Sequence, residues 1–263
     1  MQRHQLFEFN DSPWAPVALR ETIIEALSRT LAWGRMLQGL VGPFGEFVAR
    51  TGAIEVLDLC SGAGGPAAIL ATELARAGVR PPRFLMTDLQ PNPEAWARVR
   101  QAHPGLIDFV SEPVDATRIP PGLGQGRARV IINALHHFPP ELAGAIVRGA
   151  CEDSPGVFIA EGFERSPLRL ASLALAGIPA LYVNPVLAPR HRLQKALLTW
   201  FTPAALAASV WDGVVSTLRI YGEDDLRRMV APLGPAFTWR YGTYDFAPFG
   251  RPYYFYGVRT PRD

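Results

Sequence analysis

Short apolar runs recur between residues 54 and 161, and each has an ionisable residue at or near its end. Most are rich in Val, Ile, Leu or Phe, and stretches with helical periodicity lie between them. This alternation predicts an α/β fold with a doubly wound, mostly parallel sheet whose site lies at the carboxyl ends of the strands. The predicted strands are Ile54–Leu59, Arg83–Thr87, Val130–Leu135 and Gly156–Glu161.

Other patterns flank this region. A helix is predicted over Val17–Trp33, because its apolar residues recur every four positions and form one stripe. A second helix is predicted over Arg35–Arg50, with an interruption at Gly42–Pro43. Near the end of the sequence, Ala236–Tyr241 and Pro252–Val258 predict two strands. The stripe of the first helix consists of Leu19, Ile23, Leu27 and Leu31.

Residues 163–221 form a long insertion after the fifth strand. Its segment Leu168–Ala188 is apolar and near the length of a membrane span, but Pro179, Asn184 and Pro185 are expected to break it. We expect a helical cap over a substrate pocket, while contact of residues 168–188 with a membrane, without spanning it, stays open. A second apolar stretch, Leu193–Trp211, is expected to break at Pro203.

The segment Ala53–Pro66 combines a strand, an acid, a glycine loop and the start of a helix, as in nucleotide-binding turns. Its loop also fits the relaxed dinucleotide pattern. Asp58 precedes the glycines, however, and a carboxylate there is unfavourable for a pyrophosphate and favourable for an ammonium group. S-adenosylmethionine carries such a group and no phosphate. This argument favours S-adenosylmethionine over NAD.

The segment Glu55–Gly65 resembles the first motif of class I S-adenosylmethionine-dependent methyltransferases, with Cys60 where the first glycine is usual. Met86–Asn92, Val114–Ala116 and Val130–Pro139 resemble later motifs of that family in the expected order. The resemblance implies a Rossmann-like, seven-stranded sheet with an antiparallel last strand, and S-adenosylhomocysteine as the product. The cofactor-binding residues implied are Asp58, Cys60, Ser61, Gly62, Gly64, Asp88, Leu89, Asp115, Ala116 and Asn133.

His136 and His137 follow the fourth strand, where the resemblance places the transferred methyl group. An imidazole suits a general base near neutral pH, although paired histidines can also serve only to shape the loop. Glu161 is interpreted as orienting a histidine, binding a substrate amine or capping a helix. Trp14 is predicted to belong to a lid over the cleft. The other candidate substrate-binding residues are Trp211, Asp212 and Tyr221, and Asp212 has the alternative of capping or of pairing with Arg219.

Composition adds few constraints. The formal charge of +2 over 263 residues does not indicate a basic surface that would bind nucleic acid. Lys195 is the only lysine. Cys60 and Cys151 have no paired spacing, which favours a reducing cytoplasm over a disulfide scaffold or a metal site. No signal peptide is predicted, so the expected location is cytoplasmic. The oligomeric state stays open.

These observations predict a methyltransferase of secondary metabolism that acts on a small, apolar or aromatic acceptor through oxygen, nitrogen or carbon. The expected parts are an N-terminal helical extension or lid over residues 1–51, a cofactor-binding core over 52–162 and 222–263, and the helical cap over 163–221. The alternatives are a methyltransferase-like module without catalysis that binds a partner, and an NAD-dependent oxidoreductase. Base methylation is disfavoured because the loop at Asn133 lacks the proline-aromatic arrangement of such enzymes.

Overall fold

A computed structural model describes residues 3–260 of the chain. The chain divides into two compact units. The sheet unit comprises Leu37–Gly162, Tyr221–Tyr244 and the chain from Pro252 onward. The helical unit comprises the chain up to Met36 together with Phe163–Ile220 and Asp245–Arg251.

The sheet unit contains a single mixed sheet among its described residues. Its strands are β1 (Glu55–Leu59), β2 (Arg83–Thr87), β3 (Ile107–Phe109), β4 (Ala128–Ile132), β5 (Gly156–Ala160), β6 (Phe237–Thr243) and β7 (Tyr253–Arg259). Their spatial order is β3-β2-β1-β4-β5-β7-β6. The first five strands are parallel, and β7 runs antiparallel to both β5 and β6. The predicted doubly wound sheet with an antiparallel last strand is therefore confirmed.

The α-helices complete both units. In chain order they are α1 (Val17–Trp33), α2 (Val41–Thr51), α3 (Gly65–Arg76), α4 (Pro93–Ala102), α5 (Pro121–Gly124), α6 (Pro140–Cys151), α7 (Ala174–Leu187), α8 (Arg192–Ala196), α9 (Ala204–Arg219) and α10 (Glu223–Val230). Helices α1, α7, α8 and α9 belong to the helical unit. A π-helical turn, Leu197–Phe201, follows α8 directly.

The core of the sheet unit lies between the sheet and its helices. Every residue of β4 and β5 is buried, as expected for parallel strands that are covered on both faces. Phe158 of β5 is fully buried, and its ring centroid lies 5.0 Å from that of Phe44 and 5.4 Å from that of Phe47, both on α2. These aromatic contacts attach α2 to the central strands.

A second apolar core holds the helical unit together. Leu19 and Ile23 of α1 are buried against Leu181 of α7 and Ala205 of α9. The predicted stripe on the first helix thus packs on two helices of the insertion.

A buried lysine also connects helices of this unit. Lys195 of α8 has no exposed surface. Its ammonium group lies 2.8 Å from a carboxylate oxygen of each of two acids on α1, Glu21 and Glu25.

Four local features differ from the sequence-based expectations. The second predicted helix, Arg35–Arg50, begins only at Val41, after a 3-10 turn over Gln38–Leu40. Pro43 does not interrupt α2, because it is the third residue of the helix, where no backbone donor is needed. Pro179 and Pro185 lie inside α7 and do not end it. Strand β4 ends at Ile132 instead of Leu135, because Asn133 has a φ of +57° and leaves the extended conformation.

The described part of the chain contains one segment, Leu168–Leu187, that is long and apolar enough to cross a membrane. Length and composition alone select it, and core helices of soluble proteins meet the same criteria. Within the most apolar 18-residue window of this segment, 33% is buried inside the structure.

Candidate functional site

Asp58 is buried near the carboxyl end of β1, with 4% of its surface exposed. Its Oδ2 accepts a hydrogen bond of 2.7 Å from the hydroxyl of Ser61. Burial raises the pKa of Asp58 to about 7, against the lowering effect of the Ser61 hydrogen bond, and the nearby charge of Asp88 raises it further. A cation in contact with this buried carboxyl group would stabilise its charged form.

The loop after β1 requires backbone conformations that favour glycine. Gly64 has a φ of +79°, and a Cβ there would lie 2.8 Å from the sulfur of Met86. Cys60 has a φ of +58°, which explains why the resembling family usually has glycine at this position. Cys60 thus departs from the motif in its side chain and keeps the left-handed backbone.

Asp88 connects the tip of β2 to the glycine loop. Its Oδ2 accepts a 2.9 Å hydrogen bond from the backbone N–H of Gly62, and its Oδ1 accepts one of 2.9 Å from Gln90. The indole N–H of Trp96 donates to the carbonyl of Gly62 at 2.9 Å. Trp96 is fully buried, and nothing local in the sequence distinguishes it from an ordinary core residue, so it was not predicted as part of the site.

Asp115 and Ala116 lie in the loop after β3. Asp115 Oδ1 accepts hydrogen bonds from the hydroxyl and the backbone N–H of Thr117, at 2.7 Å and 2.8 Å, and these bonds lower the pKa of Asp115. Ala116 is buried, whereas Leu89 after β2 is mostly exposed. The backbone N–H of Val114 donates to the carbonyl of Asp88 at 2.8 Å, which joins this loop to the end of β2.

His136 and Glu161 form a buried pair at the ends of β4 and β5. The Nδ1 atom of His136 lies 2.7 Å from Glu161 Oε2, and the His136 backbone N–H donates to Oε1 at 3.1 Å. The ring of His137 stands 4.1 Å from that of His136. Because a neutral imidazole that donates through Nδ1 carries its basic lone pair on Nε2, the glutamate sets the tautomer of His136.

Two further side chains fix the loops around this pair. The hydroxyl of Tyr244 donates to the backbone carbonyl of Glu161 at 2.7 Å. Burial and the charge of Glu161 raise the pKa of Tyr244, so this tyrosine acts as a neutral donor. Asn133 Oδ1 accepts a 3.0 Å hydrogen bond from the backbone N–H of Gly162, which ties the end of β4 to the end of β5. The sequence analysis did not single out Tyr244, since a tyrosine in the loop before the last strand carries no local motif.

The helical unit contains an apolar cavity of about 400 Å³ that is partly open to solvent. Two of the residues that line it, Asn10 and Ser209, each have a buried side-chain oxygen, Oδ1 and Oγ respectively, without a hydrogen-bond partner within the described residues. Buried polar atoms of this kind gain from a ligand that carries a hydroxyl or an N–H group. Aliphatic side chains from α1, α7, α9 and the turn before α7 form most of the wall, among them Ile23, Leu27, Leu173, Leu181, Leu206 and Val210.

Asp212 also lines this cavity, and its carboxylate holds the N-terminal segment. It accepts hydrogen bonds from the backbone N–H groups of Phe9 and Asn10, at 2.7 Å and 3.0 Å. Burial raises the pKa of Asp212 to about 6, although these two bonds lower it, while Glu8 and Asp11 add to the increase. The carboxylate therefore has a structural task in addition to any contact with a ligand.

The remaining predicted substrate residues lie in different places. Trp14 and Trp211 belong to the helical unit, where both rings contact Phe7, with centroid distances of 5.8 Å and 5.3 Å. The Trp211 indole N–H donates to the Phe7 carbonyl at 3.0 Å. Tyr221 belongs to the sheet unit, where it is buried and donates its hydroxyl to the Phe138 carbonyl at 2.6 Å.

No protein-family model and no curated protein matches the sequence. Solved structures of methyltransferases do share its fold. A protein assigned as an O-methyltransferase from Nostoc punctiforme matches 98% of this chain with a TM-score of 0.51 and 13% identity, and this chain spans 64% of that protein. The plantazolicin methyltransferase BpumL, solved with S-adenosylhomocysteine, matches 92% of the chain and 99% of its own, with a TM-score of 0.51 and 10% identity.

A third structure, the methyltransferase domain of a bacterial Hen1 protein, matches 85% of this chain and 99% of its own, with a TM-score of 0.50 and 11% identity. At such identities the likeness concerns the fold. The chain has the fold of class I S-adenosylmethionine-dependent methyltransferases.

Proposed function

We propose that this chain, with its class I methyltransferase fold, transfers the methyl group of S-adenosylmethionine to a small acceptor of apolar or aromatic character. The observation that carries the proposal is the pair of carboxylates at the ends of adjacent strands. Asp58 is the penultimate residue of β1, Asp88 follows β2, and the glycine loop between them is held by the hydrogen bond from the Gly62 N–H to Asp88.

The residues around this loop suit S-adenosylmethionine. Asp58 offers a buried carboxylate to an ammonium group, and Asp88 offers acceptor oxygens to ribose hydroxyls. Gly64 gives the loop its left-handed backbone, and a side chain there would collide with Met86 and Trp96. Leu89 presents an exposed apolar surface for one face of an adenine, and Asp115 and Asn133 complete the polar rim. In this proposal Cys60, Ser61 and Ala116 make the remaining contacts through the backbone or small side chains.

The chemistry follows from a sulfonium methyl group, which the bound cofactor supplies in an already activated form. The chain then has to align an acceptor with that methyl group and, for a hydroxyl or an N–H acceptor, remove a proton. In our proposal His136 Nε2 takes this proton, because Glu161 holds Nδ1 and stabilises the imidazolium that forms. His137 is the second candidate for the same task.

The acceptor is proposed to occupy the cavity of the helical unit. Its aliphatic wall fits an apolar body, and the unpaired Asn10 Oδ1 and Ser209 Oγ fit one hydroxyl or N–H group on that body. Trp14 and Trp211, which belong to the same unit, are proposed to form aromatic contacts with acceptors, and Asp212, which lines the cavity, to contact a polar group. An apolar wall with few polar groups favours an acceptor that carries one polar group over a highly charged metabolite.

The alternatives have less support. An NAD-dependent oxidoreductase would place a pyrophosphate beside Asp58, whose raised pKa already reflects the cost of negative charge at that position. A module without catalysis, which binds only a partner, gives no reason for a buried Glu161–His136 pair at the carboxyl ends of two central strands.

The test is methyl transfer by the purified full chain from methyl-labelled S-adenosylmethionine to a panel of phenols, aliphatic alcohols, amines and enolisable ketones. Turnover of at least one apolar acceptor is expected. His136→Ala should lower kcat by about 10²-fold or more with cofactor affinity unchanged, and Glu161→Gln should lower it by about tenfold. His4→Ala, a change at an exposed histidine, is the control.

The outcomes separate the proposals. Cofactor binding without turnover of any acceptor would favour the binding module. Loss of activity in His137→Ala, with His136→Ala unaffected, would move the role of the base to His137. Full activity in both variants would exclude a histidine base.

A further inference from the structure

The cavity of the helical unit has one ionisable residue in its wall. Asp212 is the only Asp, Glu, Lys, Arg or His among the described residues that line this cavity. It is buried, with 4% of its surface exposed. Most of the remaining wall is aliphatic. The cavity is therefore an apolar space that borders a single acid.

No cation within the described residues pairs with Asp212. Its two carboxylate oxygens accept hydrogen bonds from backbone N–H groups of the N-terminal segment, which carry no formal charge. Arg219, on the same helix α9, pairs with Glu8 and Asp11 instead, at 3.2 Å and 2.9 Å. Burial raises the pKa of Asp212 to about 6, and the charges of these two acids add to the increase. The charge of Asp212 is thus not balanced by an ion pair in this part of the chain.

Helix α9 presents a short polar stripe to the cavity. Ser209, Asp212 and Ser216 all line the cavity, and their spacing of three and four residues places them on one face of the helix. The Oγ atom of Ser209 is buried and has no hydrogen-bond partner among the described residues. Residues three apart on a helix have Cβ atoms about 5–6 Å from each other. One ligand group can therefore contact both Ser209 and Asp212.

Two other hydroxyl groups of the wall already use their hydrogens within the chain. Ser216 donates to Glu8 Oε1 at 2.9 Å, and Thr30 donates to the carbonyl of Ala26 at 2.7 Å. Because a hydroxyl group has a single hydrogen, these two oxygens can only accept a hydrogen bond from a ligand. An ionised carboxylate is also only an acceptor. Asp212, Ser216 and Thr30 therefore favour a ligand group that donates hydrogen bonds.

We propose that the cavity binds an amine with an apolar body, held as its ammonium ion by Asp212, with Ser209 as a second acceptor. An ammonium group supplies both the positive charge that Asp212 lacks and several N–H donors. The inference rests on the proposed function, in which the acceptor occupies this cavity, and it narrows the acceptor to apolar amines. The binding itself requires neither cofactor nor turnover.

The size and charge of the cavity determine which other ligands compete. A volume of about 400 Å³ lies toward the small end of the range for ligand sites, about 300–1,000 Å³, so the apolar body is small. An alcohol with the same body would fill the same space but leave the charge of Asp212 unpaired. A carboxylic acid would bring a second negative charge beside Asp212. The expected order of affinity is therefore amine, then alcohol, then acid.

The test is calorimetric titration of the full chain at pH 8, without cofactor, with matched sets of ligands. The sets have an octyl, a phenylethyl or an adamantylmethyl body, and each contains the amine, the alcohol and the carboxylic acid. At this pH Asp212 is ionised and the amines are protonated. For at least one body we expect the amine to bind at least about tenfold more tightly than the alcohol, and the acid not to bind. Equal affinity for amine and alcohol, or no binding of any amine, would overturn the proposal.

Asp212→Asn removes the charge with little change of shape. The affinity for the amine should fall at least about tenfold, and the affinity for the matched alcohol should change by less than about threefold. Asp245→Asn, at an exposed acid of the same unit, is the control and should change neither affinity. An equal loss for amine and alcohol would assign Asp212 a structural role alone and contradict the proposal. Circular dichroism checks folding, and the preference of the unaltered chain decides the matter if Asp212→Asn does not fold.

A second pair of variants tests the location of the ligand. Leu27 lines the cavity from α1, so Leu27→Trp should occupy part of the space and weaken amine and alcohol alike, by at least about tenfold. Ile24→Trp, at an exposed position of the same helix, is the control and should leave both affinities unchanged. Amine binding that Leu27→Trp leaves intact would place the ligand elsewhere and overturn the proposal.

A parallel assay of methyl transfer separates this inference from the proposed function. Selective amine binding without methyl transfer to any acceptor would support the amine site and contradict the proposed function alone. Methyl transfer to apolar alcohols, by a chain that shows no preference for amines, would contradict the amine site alone.

Discussion

At the scale of single residues, Asp58 is destabilising in the absence of a bound cation. Its folded-state pKa is raised from 3.8 to about 7, so the folded chain holds a proton there that the unfolded chain has already released. The contribution of Asp58 to the free energy of unfolding therefore falls as the pH rises from about 4 to about 7. Asp58, to which we assign the ammonium group of the cofactor, therefore lowers the stability of the chain when no ligand is bound.

This leads to a prediction for Asp58→Asn. The variant should be more stable than the parent at pH 8 by on the order of 2–4 kcal/mol, since the buried charge is gone and the Ser61 contact can be kept. Urea unfolding of the cofactor-free protein measures the difference. Below pH 4, where Asp58 is protonated in both states, the difference should vanish. A less stable variant at pH 8 would contradict the raised pKa.

Cofactor affinity should depend on the same ionisation. Below pH 7 the neutral form of Asp58 dominates and cannot pair with an ammonium group, so the affinity for S-adenosylmethionine should fall by about tenfold from pH 8 to pH 6. Titrations at both pH values check this. An affinity independent of pH over that interval would show that Asp58 does not face the charged part of the cofactor.

Asp212 also has a raised pKa, but its carboxylate accepts two backbone hydrogen bonds that the fold needs. Asp212→Ala would leave the N–H groups of Phe9 and Asn10 without their acceptor, and a loss of about 2 kcal/mol in the free energy of unfolding is expected. Asp245→Ala, at an exposed position in the same unit, should change the free energy little. Equal effects of the two substitutions would argue against the capping role.

At the scale of elements, the single lysine of the chain joins α8 to α1. Lys195→Met should lower the free energy of unfolding by about 2–4 kcal/mol, because Glu21 and Glu25 would face each other without the cation between them. Chemical denaturation measures this loss. The double variant with Glu25→Gln should recover part of it, and no recovery would mean that Lys195 acts through packing alone.

The elements also show what the sequence could and could not predict. The bounds of α1 and β2 agree with the prediction to the residue, because a stripe or a short apolar run is a local pattern. The continuity of α7 through Pro179 and Pro185 was not predicted. Each internal proline has a local cost of about 3 kcal/mol, and the packing of α7 on α1, which no local pattern encodes, helps to offset it.

The candidate site likewise contains residues that the sequence could predict and residues that it could not. The acids at the strand ends and the histidines could be identified from the sequence, since each lies within a few residues of a recognisable strand. Trp96 and Tyr244 were missed because they act on backbone carbonyls that only the folded chain brings to them. The structure describes where the residues of each proposed role lie, and the roles themselves remain predictions.

At the scale of the whole molecule, the two units have different chemistry. The sheet unit contains the carboxylates, the glycine loop and the Glu161–His136 pair, and the helical unit contains the apolar cavity. The proposed cofactor and the proposed acceptor therefore depend on separate sets of residues. Substitutions in one set should leave the other ligand's binding unchanged.

The central claim is that the site after β1 and β2 binds S-adenosylmethionine. Calorimetric titration of the purified chain with S-adenosylmethionine, S-adenosylhomocysteine and NADH at pH 8 tests it most directly. We expect binding of the first two with dissociation constants on the order of micromolar, no binding of NADH, and loss of binding in Asp58→Asn and Asp88→Asn. Binding of NADH alone, or binding of S-adenosylmethionine that both substitutions leave intact, would contradict the claim.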